Sequence, residues 1–230
     1  MPAAPSFTAP PFAADLRVLV FDLDGTLVDS HADLAASVNV ALAELHRPPL
    51  SAAQVARFVG NGVPALLKRA LAASGGAGTA AELDTAMAAM LRHYERHCLD
   101  ATRLYPGVAD LLPALAARFQ LAVLTNKPEK PAREILAGLG VAGCFQAVYG
   151  GDSLAAKKPD PVGLRAILGT ELAPQNGLMI GDSMVDIQTG RAAGAWTCAV
   201  SYGFAPRDWQ PGAADWEIAA FASLRALLAG

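Results

Sequence analysis

The chain has 230 residues, 53% of them hydrophobic and 17% charged, with a formal net charge of −3. Without clustered Lys and Arg, this mildly acidic balance argues against nucleic acid as the main partner, because backbone-phosphate binding needs a basic surface. Cys98, Cys144 and Cys198 are few, widely spaced and odd in number, so they read as reduced thiols rather than a disulfide framework.

In chain order, residues 1–14 come first and carry Pro2, Pro5, Pro10 and Pro11. They have no basic start and no continuous apolar run, which predicts a short disordered extension rather than a secretory signal. No later stretch approaches the roughly 20 apolar residues that a membrane span requires. A cytoplasmic protein with no membrane partner is expected, as a monomer or homodimer. Val18-Leu19-Val20-Phe21 is a short apolar run of the kind that forms a strand buried on both faces. Similar runs recur at Leu121-Ala122-Val123-Leu124, Ala147-Val148-Tyr149, Leu178-Met179-Ile180 and Thr197-Cys198-Ala199-Val200. Helical segments at 132–139, 161–168 and 185–193 separate the later runs, and Gly140, Gly169 and Gly194 close them. Strand and helix alternating in this way predict right-handed crossovers and a doubly wound parallel α/β sheet.

One interval breaks the alternation. From Ser30 to about Thr102 only helical patterns occur. Leu34, Val38, Leu42 and Leu45 share a helical face, and Pro48-Pro49 stops that helix. Ser30…Asp33, Ser51…Gln54 and Thr79…Glu82 have the capping-box form. The last opens a long helix with an apolar stripe of Leu83, Met87, Met90, Leu91 and Tyr94. The predicted domains are therefore a catalytic core at 15–29 and 103–230 and an inserted helical cap at 30–102. A cap inserted after the first strand sits over the carboxyl end of the sheet, where doubly wound folds bind ligands.

Candidate chemistry lies at the same strand ends. Asp22 and Asp24 follow the first strand in Asp22-Leu23-Asp24-Gly25-Thr26-Leu27-Val28-Asp29. An ionised carboxylate can act as a nucleophile, a second one can act as acid and base, and Gly25 permits the tight turn between strand and loop. A lone D-x-D would equally be an Asx turn. Thr125-Asn126 offers a hydroxyl and an amide for a phosphoryl oxygen, or else a helix N-cap. Lys157-Lys158-Pro159-Asp160-Pro161 supplies positive charge, and Gly181-Asp182-Ser183-Met184-Val185-Asp186 supplies two further carboxylates after a strand. His93 and His97 are one helical turn apart, but no third ligand accompanies them, and a solvated cap helix is the simpler reading. Gly60-Asn61-Gly62 is a plain turn or a cap loop before a helix at Val63-Pro64, whose N-terminus could hold a substrate carboxylate.

These four stretches, in this order, resemble the motifs of the haloacid dehalogenase superfamily over essentially the whole chain from Val18. The resemblance implies strand order 5-4-1-2-3 and places the nucleophile on Asp22 and the acid/base on Asp24. It places phosphate contacts on Thr125 and Asn126 and the charge-neutralising lysine on Lys158 rather than Lys157. It implies Mg2+ held by Asp22, Asp182 and the backbone carbonyl of Asp24, with Asp186 as a nearby orienting group. Gly60-Asn61-Gly62, Thr125-Asn126-Lys127-Pro128 and Gly150-Gly151-Asp152-Ser153 further resemble phosphoglycolate phosphatases, which hydrolyse the small metabolite 2-phosphoglycolate. Related N-acetylmuramic acid 6-phosphate phosphatases and the isomerase β-phosphoglucomutase share much of the pattern and are the rival expectations. Thr26 favours a phosphatase over the isomerase. A non-catalytic binding module would have lost one of Asp22, Asp24, Lys158 or Asp182, and all four are present.

Overall fold

The computed structural model describes residues 15–204 and 209–228, so the expected extension at 1–14 lies outside them. Six strands form the main sheet. They are β1 (Val18–Phe21), β4 (Gln120–Leu124), β5 (Ala147–Tyr149), β6 (Gly177–Gly181), β7 (Trp196–Val200) and β8 (Trp216–Ile218). Their spatial order is β5-β4-β1-β6-β7-β8, and every pairing is parallel. Among the five expected strands this is the order 5-4-1-2-3, with β1 central. Beyond it lies β8, a three-residue strand that the sequence pattern does not signal.

Strand periodicity decides which residues meet which helices, because successive side chains point to opposite faces. Leu19, Phe21, Leu121, Val123 and Ile180 share one buried cluster with α5 (Val108–Ala116), α6 (Glu129–Gly138) and α9 (Leu224–Leu227). Val18, Val20, Ala122, Leu124 and Met179 join Leu164 of α7 (Val162–Leu168) and Ala193 of α8 (Met184–Ala193) on the other side. Both faces of the central strands are covered, as the unbroken apolar runs require.

Between β1 and β4 the chain makes the expected helical insertion. It comprises α1 (His31–Glu44), α2 (Ala52–Ala56), α3 (Val63–Ala73) and α4 (Ala80–His97). A two-stranded antiparallel ribbon, β2 (Val28–Asp29) with β3 (Arg103–Leu104), joins its entrance to its exit. The boxes at Ser51…Gln54 and Thr79…Glu82 form at the starts of α2 and α4. The expected box at Ser30…Asp33 does not form. Ser30 has φ −112° and ψ 8°, outside the extended region an N-cap occupies, and makes no side-chain cap bond. Its hydroxyl instead donates to Asp24 Oδ1 at 2.5 Å. Asp33 turns across to the exit linker, where it accepts from the Ala101 and Thr102 amides and from Thr102 Oγ1 at 2.7–3.0 Å. A buried carboxylate with these donors gains more than an exposed box would supply, and it ties the two crossings of the insertion together. Among the described residues, no helix is long and apolar enough to cross a membrane.

Candidate active site

Parallel register brings the motifs together. Phe21 of β1 lies beside Val123 of β4 and Ile180 of β6, and the Asp22 amide donates to the Ile180 carbonyl at 2.9 Å. Asp22, Thr125 and Asp182 therefore leave three adjacent strands at the same level, although they are far apart in sequence. Lys158 arrives on the loop between β5 and α7. Gly25 turns the first loop back with φ +83°, and a Cβ there would lie 2.1 Å from Asp182 Oδ2. Only glycine meets both the backbone angle and the close approach.

Charge is concentrated here. Lys158 Nζ sits 2.9 Å from Asp22 Oδ1 and 2.6 Å from Asp186 Oδ1, with all three side chains buried. Asp22 Oδ1 also accepts the Leu23 amide at 2.7 Å. Asp186 Oδ2 takes the Ser183 amide and hydroxyl at 3.1 and 2.6 Å, so both of its oxygens are engaged. Asp182 Oδ2 accepts the Phe204 amide at 2.9 Å. Ligand atoms of Asp22, Asp182 and Asp186 lie within 4.8 Å of one another. Three carboxylates against one ammonium leave an excess of negative charge in a buried place, and the donors are hard oxygens. Such a set fits a divalent cation of the magnesium type.

The consequences appear in the acidities. Burial pushes the Asp22 carboxyl up to about 6, with Asp186 adding to the rise and Lys158 opposing it. Burial, followed by the charges of Asp22 and Asp186, raises Asp182 well above an ordinary carboxylate. Burial works against the Lys158 ammonium, but Asp186 and Asp22 outweigh it and hold Lys158 above an ordinary lysine.

A pH dependence follows. Unfolded, Asp22 ionises near 3.8; folded and metal-free, near 6. Its contribution to stability is complete below the lower value and is lost as pH rises through the upper one. Asn at this position has no proton to lose. Metal-free wild type should therefore lose about 2–3 kcal/mol relative to Asp22→Asn between pH 4 and pH 7. Paired thermal melts across that range check it, and a pH-independent difference would contradict it.

Asp24 stands apart from the three clustered carboxylates. Its oxygens accept from Lys127 Nζ at 3.0 and 2.9 Å and from the Ser30 hydroxyl. Lys127 is buried, and its Nζ lies 4.5 Å from the centroid of the Tyr94 ring on α4. Burial opposes the Lys127 charge, yet Asp24 and Tyr94 outweigh it and hold the ammonium above an ordinary lysine. Lys127, Ser30 and Tyr94 have no role in any of the four motifs. The only sequence hints were the Thr125-Asn126-Lys127-Pro128 string and a serine that mimics an N-cap.

Thr125 and Asn126 are both buried at the tip of β4. The alternative N-cap role is not used, because α6 starts after Pro128. Asn126 Nδ2 instead donates to the Gly60 carbonyl at 2.9 Å and to the Lys158 carbonyl at 3.0 Å. Lys157 Nζ donates to the Asn61 carbonyl at 2.9 Å. The Gly60-Asn61-Gly62 turn is thus drawn onto the core, next to the strand tips. Arg69 braces the turn from α3 through Phe58 O and Asn61 Oδ1, while Lys68 is exposed. His93 stacks on His97 and contacts Ser37 Oγ at 2.9 Å, remote from the carboxylate cluster in role. Among the described residues, Asp22, Asp182 and Asp186 are the one group with metal-ligating geometry.

A family model for haloacid dehalogenase-like hydrolases matches residues 16–194. A phosphoglycolate phosphatase of Rhodospirillum rubrum is 45% identical over 194 residues, covering 82% of this chain and 80% of that protein. One from Pseudomonas putida is 39% identical over 222 residues, covering 93% and 79%. A solved structure from Haemophilus somnus 129pt, itself assigned as a phosphoglycolate phosphatase by prediction, superposes with a TM-score of 0.85. It is 34% identical and covers 91% of this chain and 96% of that one. Family match, relatives and the convergence of four motifs at adjacent strand tips agree: the chain belongs to the haloacid dehalogenase-like hydrolases.

Proposed function

We propose that the protein is a magnesium-dependent phosphatase that hydrolyses 2-phosphoglycolate to glycolate and phosphate, with residues 30–102 as its cap. The observation that carries this reading is the buried cluster of Asp22, Lys158, Asp182 and Asp186 beside a separately held Asp24. Two carboxylates in unlike surroundings are what a nucleophile and an acid/base require. Asp22 Oδ1 is engaged by Lys158 and the Leu23 amide, and among the described residues nothing hydrogen-bonds Oδ2. Oδ2 attacks phosphorus, the bond from phosphorus to the ester oxygen breaks, and Asp24 gives that oxygen its proton. Asp24 then takes a proton from water, which attacks phosphorus and returns Asp22 as a carboxylate. Thr125 through its hydroxyl and Asn126 through its backbone amide contact the phosphoryl oxygens, and Lys158, held by Asp186, offsets the charge between nucleophile and phosphate. Asp22, Asp182 and the Asp24 carbonyl would hold Mg2+, which when bound lowers the repulsion between the two anions.

Substrate size and polarity are read from the cavity between cap and core. Besides polar groups of the strand tips, its wall includes Leu34, Val59, Val63, Leu66, Met90 and Leu91. Sugar hydroxyls buried against such a wall would lose their hydrogen bonds to water without replacement, which disfavours a hexose or N-acetylmuramic acid ester. The relatives' shared activity on phosphoglycolate supports the same choice. The reading is tested by following phosphate release with Mg2+ from 2-phosphoglycolate, N-acetylmuramic acid 6-phosphate and β-glucose 1-phosphate. Highest kcat/KM on 2-phosphoglycolate, no glucose 6-phosphate from the last compound, and arrest by a chelator with recovery on added Mg2+ are expected. A preferred sugar ester, or chelator-insensitive release, would overturn it.

A further inference from the structure

Contacts at the strand tips recognise a phosphate but not what it is attached to. That choice is made in the cavity between cap and core, whose cap side is apolar. Among the residues lining this cavity, Lys127 is the one with a cationic side chain. It is 7% exposed, so its charge is spent inside the protein rather than in solvent. Its Nζ holds both oxygens of Asp24 at 2.9–3.0 Å and lies over the face of Tyr94.

We propose that Lys127 is the specificity-determining residue of this site, receiving an anionic group one carbon from the ester oxygen while keeping Asp24 beside that oxygen. The inference rests on the phosphoglycolate reading above and names how the site would recognise that substrate class. Two facts lead to it. A carboxylate entering an apolar cavity must meet a cation, and Lys127 is the cation that lines it. In 2-phosphoglycolate the carboxylate is joined through a single methylene to the oxygen that Asp24 protonates. The recognising charge must therefore adjoin Asp24, and Lys127 does so on both carboxylate oxygens. Other positive groups are less well placed. Arg57 and Arg69 line a second cavity, which meets the first at Asp24, Val59 and Gly60 and extends to Asp182 and Ser183, but it is Lys127 whose Nζ bonds both Asp24 oxygens. The N-terminus of α3 reaches the Lys127 cavity through Val63 and Leu66, but it offers only a partial charge.

The test compares kcat/KM for 2-phosphoglycolate and for 2-hydroxyethyl phosphate, which keeps the ester oxygen and both carbons but has a neutral tail. It uses wild type, Lys127→Met, Lys127→Gln, Lys127→Arg and Arg57→Met. Any loss of Asp24 positioning slows both substrates and cancels in their ratio. The wild-type preference for the carboxylate should fall at least about tenfold in Lys127→Met and Lys127→Gln, recover in Lys127→Arg, and persist in Arg57→Met. For variants too slow to assay, the ratio of Kd values for 3-phosphonopropanoate and 3-hydroxypropylphosphonate, by calorimetry, should move in the same way. A preference unchanged within threefold in Lys127→Met and Lys127→Gln, or lost in Arg57→Met instead, would overturn the assignment while leaving the phosphoglycolate reading intact. A wild type with no preference for the carboxylate would remove that reading, and this inference with it.

Discussion

Asp22→Asn is expected to lower kcat for phosphate release by about 10⁴ or more, with the fold retained. The side chain keeps its shape, so the packing around β1 is undisturbed. What changes is chemistry. An amide is a poor nucleophile toward phosphorus, cannot carry the phosphoryl group as an acyl phosphate, and brings no negative charge to a cation. Removing one of three crowded carboxylates also relieves repulsion within the cluster, so the metal-free variant should melt no lower than wild type at neutral pH. Inactivation thus coincides with equal or greater stability, a combination that general misfolding does not produce. Mass spectrometry of the peptide carrying the substitution excludes deamidation back to aspartate. Wild-type turnover in an intact Asp22→Asn protein would show that the nucleophile lies elsewhere.

Lys158→Met is expected to be the more damaging change to the protein itself. The ammonium lies 2.9 Å from Asp22 and 2.6 Å from Asp186, and these side chains are almost wholly buried. Removing it leaves carboxylates facing one another in a place with little water. Breaking a buried pair in this way costs about 3–5 kcal/mol. The direction with pH is set by the same charges: Asp22 and Asp182 already bind protons more readily than free carboxylates do. Protonation at pH 5 should return much of the lost stability, while at pH 8 the loss should be complete. Urea titrations of the metal-free variant and wild type at the two pH values measure it. Equal stability at pH 8 would mean that Lys158 does not balance the cluster. Turnover should fall by about 10² to 10³ even where the variant is folded, because the charge on nucleophile and phosphate is no longer offset.

Most of the core was legible from the chain alone, for a physical reason. A strand buried on both faces must be apolar throughout, and Val18–Phe21 and the runs within Gln120–Leu124 and Gly177–Gly181 advertise this directly. Elements with mixed demands were hidden. α5 carries Pro113 in its interior, and β8 is only Trp216–Ile218, too short for any periodicity. The ribbon of β2 and β3 has two residues per strand and exists because Asp33 and the backbone draw the two linkers together. The same contrast holds at the site. Asp22, Thr125, Lys158 and Asp182 stand in recognisable strings at strand ends. Ser30 and Lys127 gain their positions from Asp24, a partner that only the folded chain brings to them. Ser30 also misleads because serine before a helix usually caps it, whereas here a buried carboxylate is the stronger acceptor.

The reading as a whole turns on whether phosphate passes through Asp22. Wild-type protein mixed briefly with Mg2+ and 2-phosphoglycolate labelled in its phosphoryl group, then quenched in acid, tests this most directly. The account predicts label bound to the protein as an acid-stable, hydroxylamine-sensitive acyl phosphate, located in the peptide containing Asp22 and absent from Asp22→Asn. Label on a different residue, or full turnover with no protein-bound label at any quench time that resolves the first turnover, would contradict it.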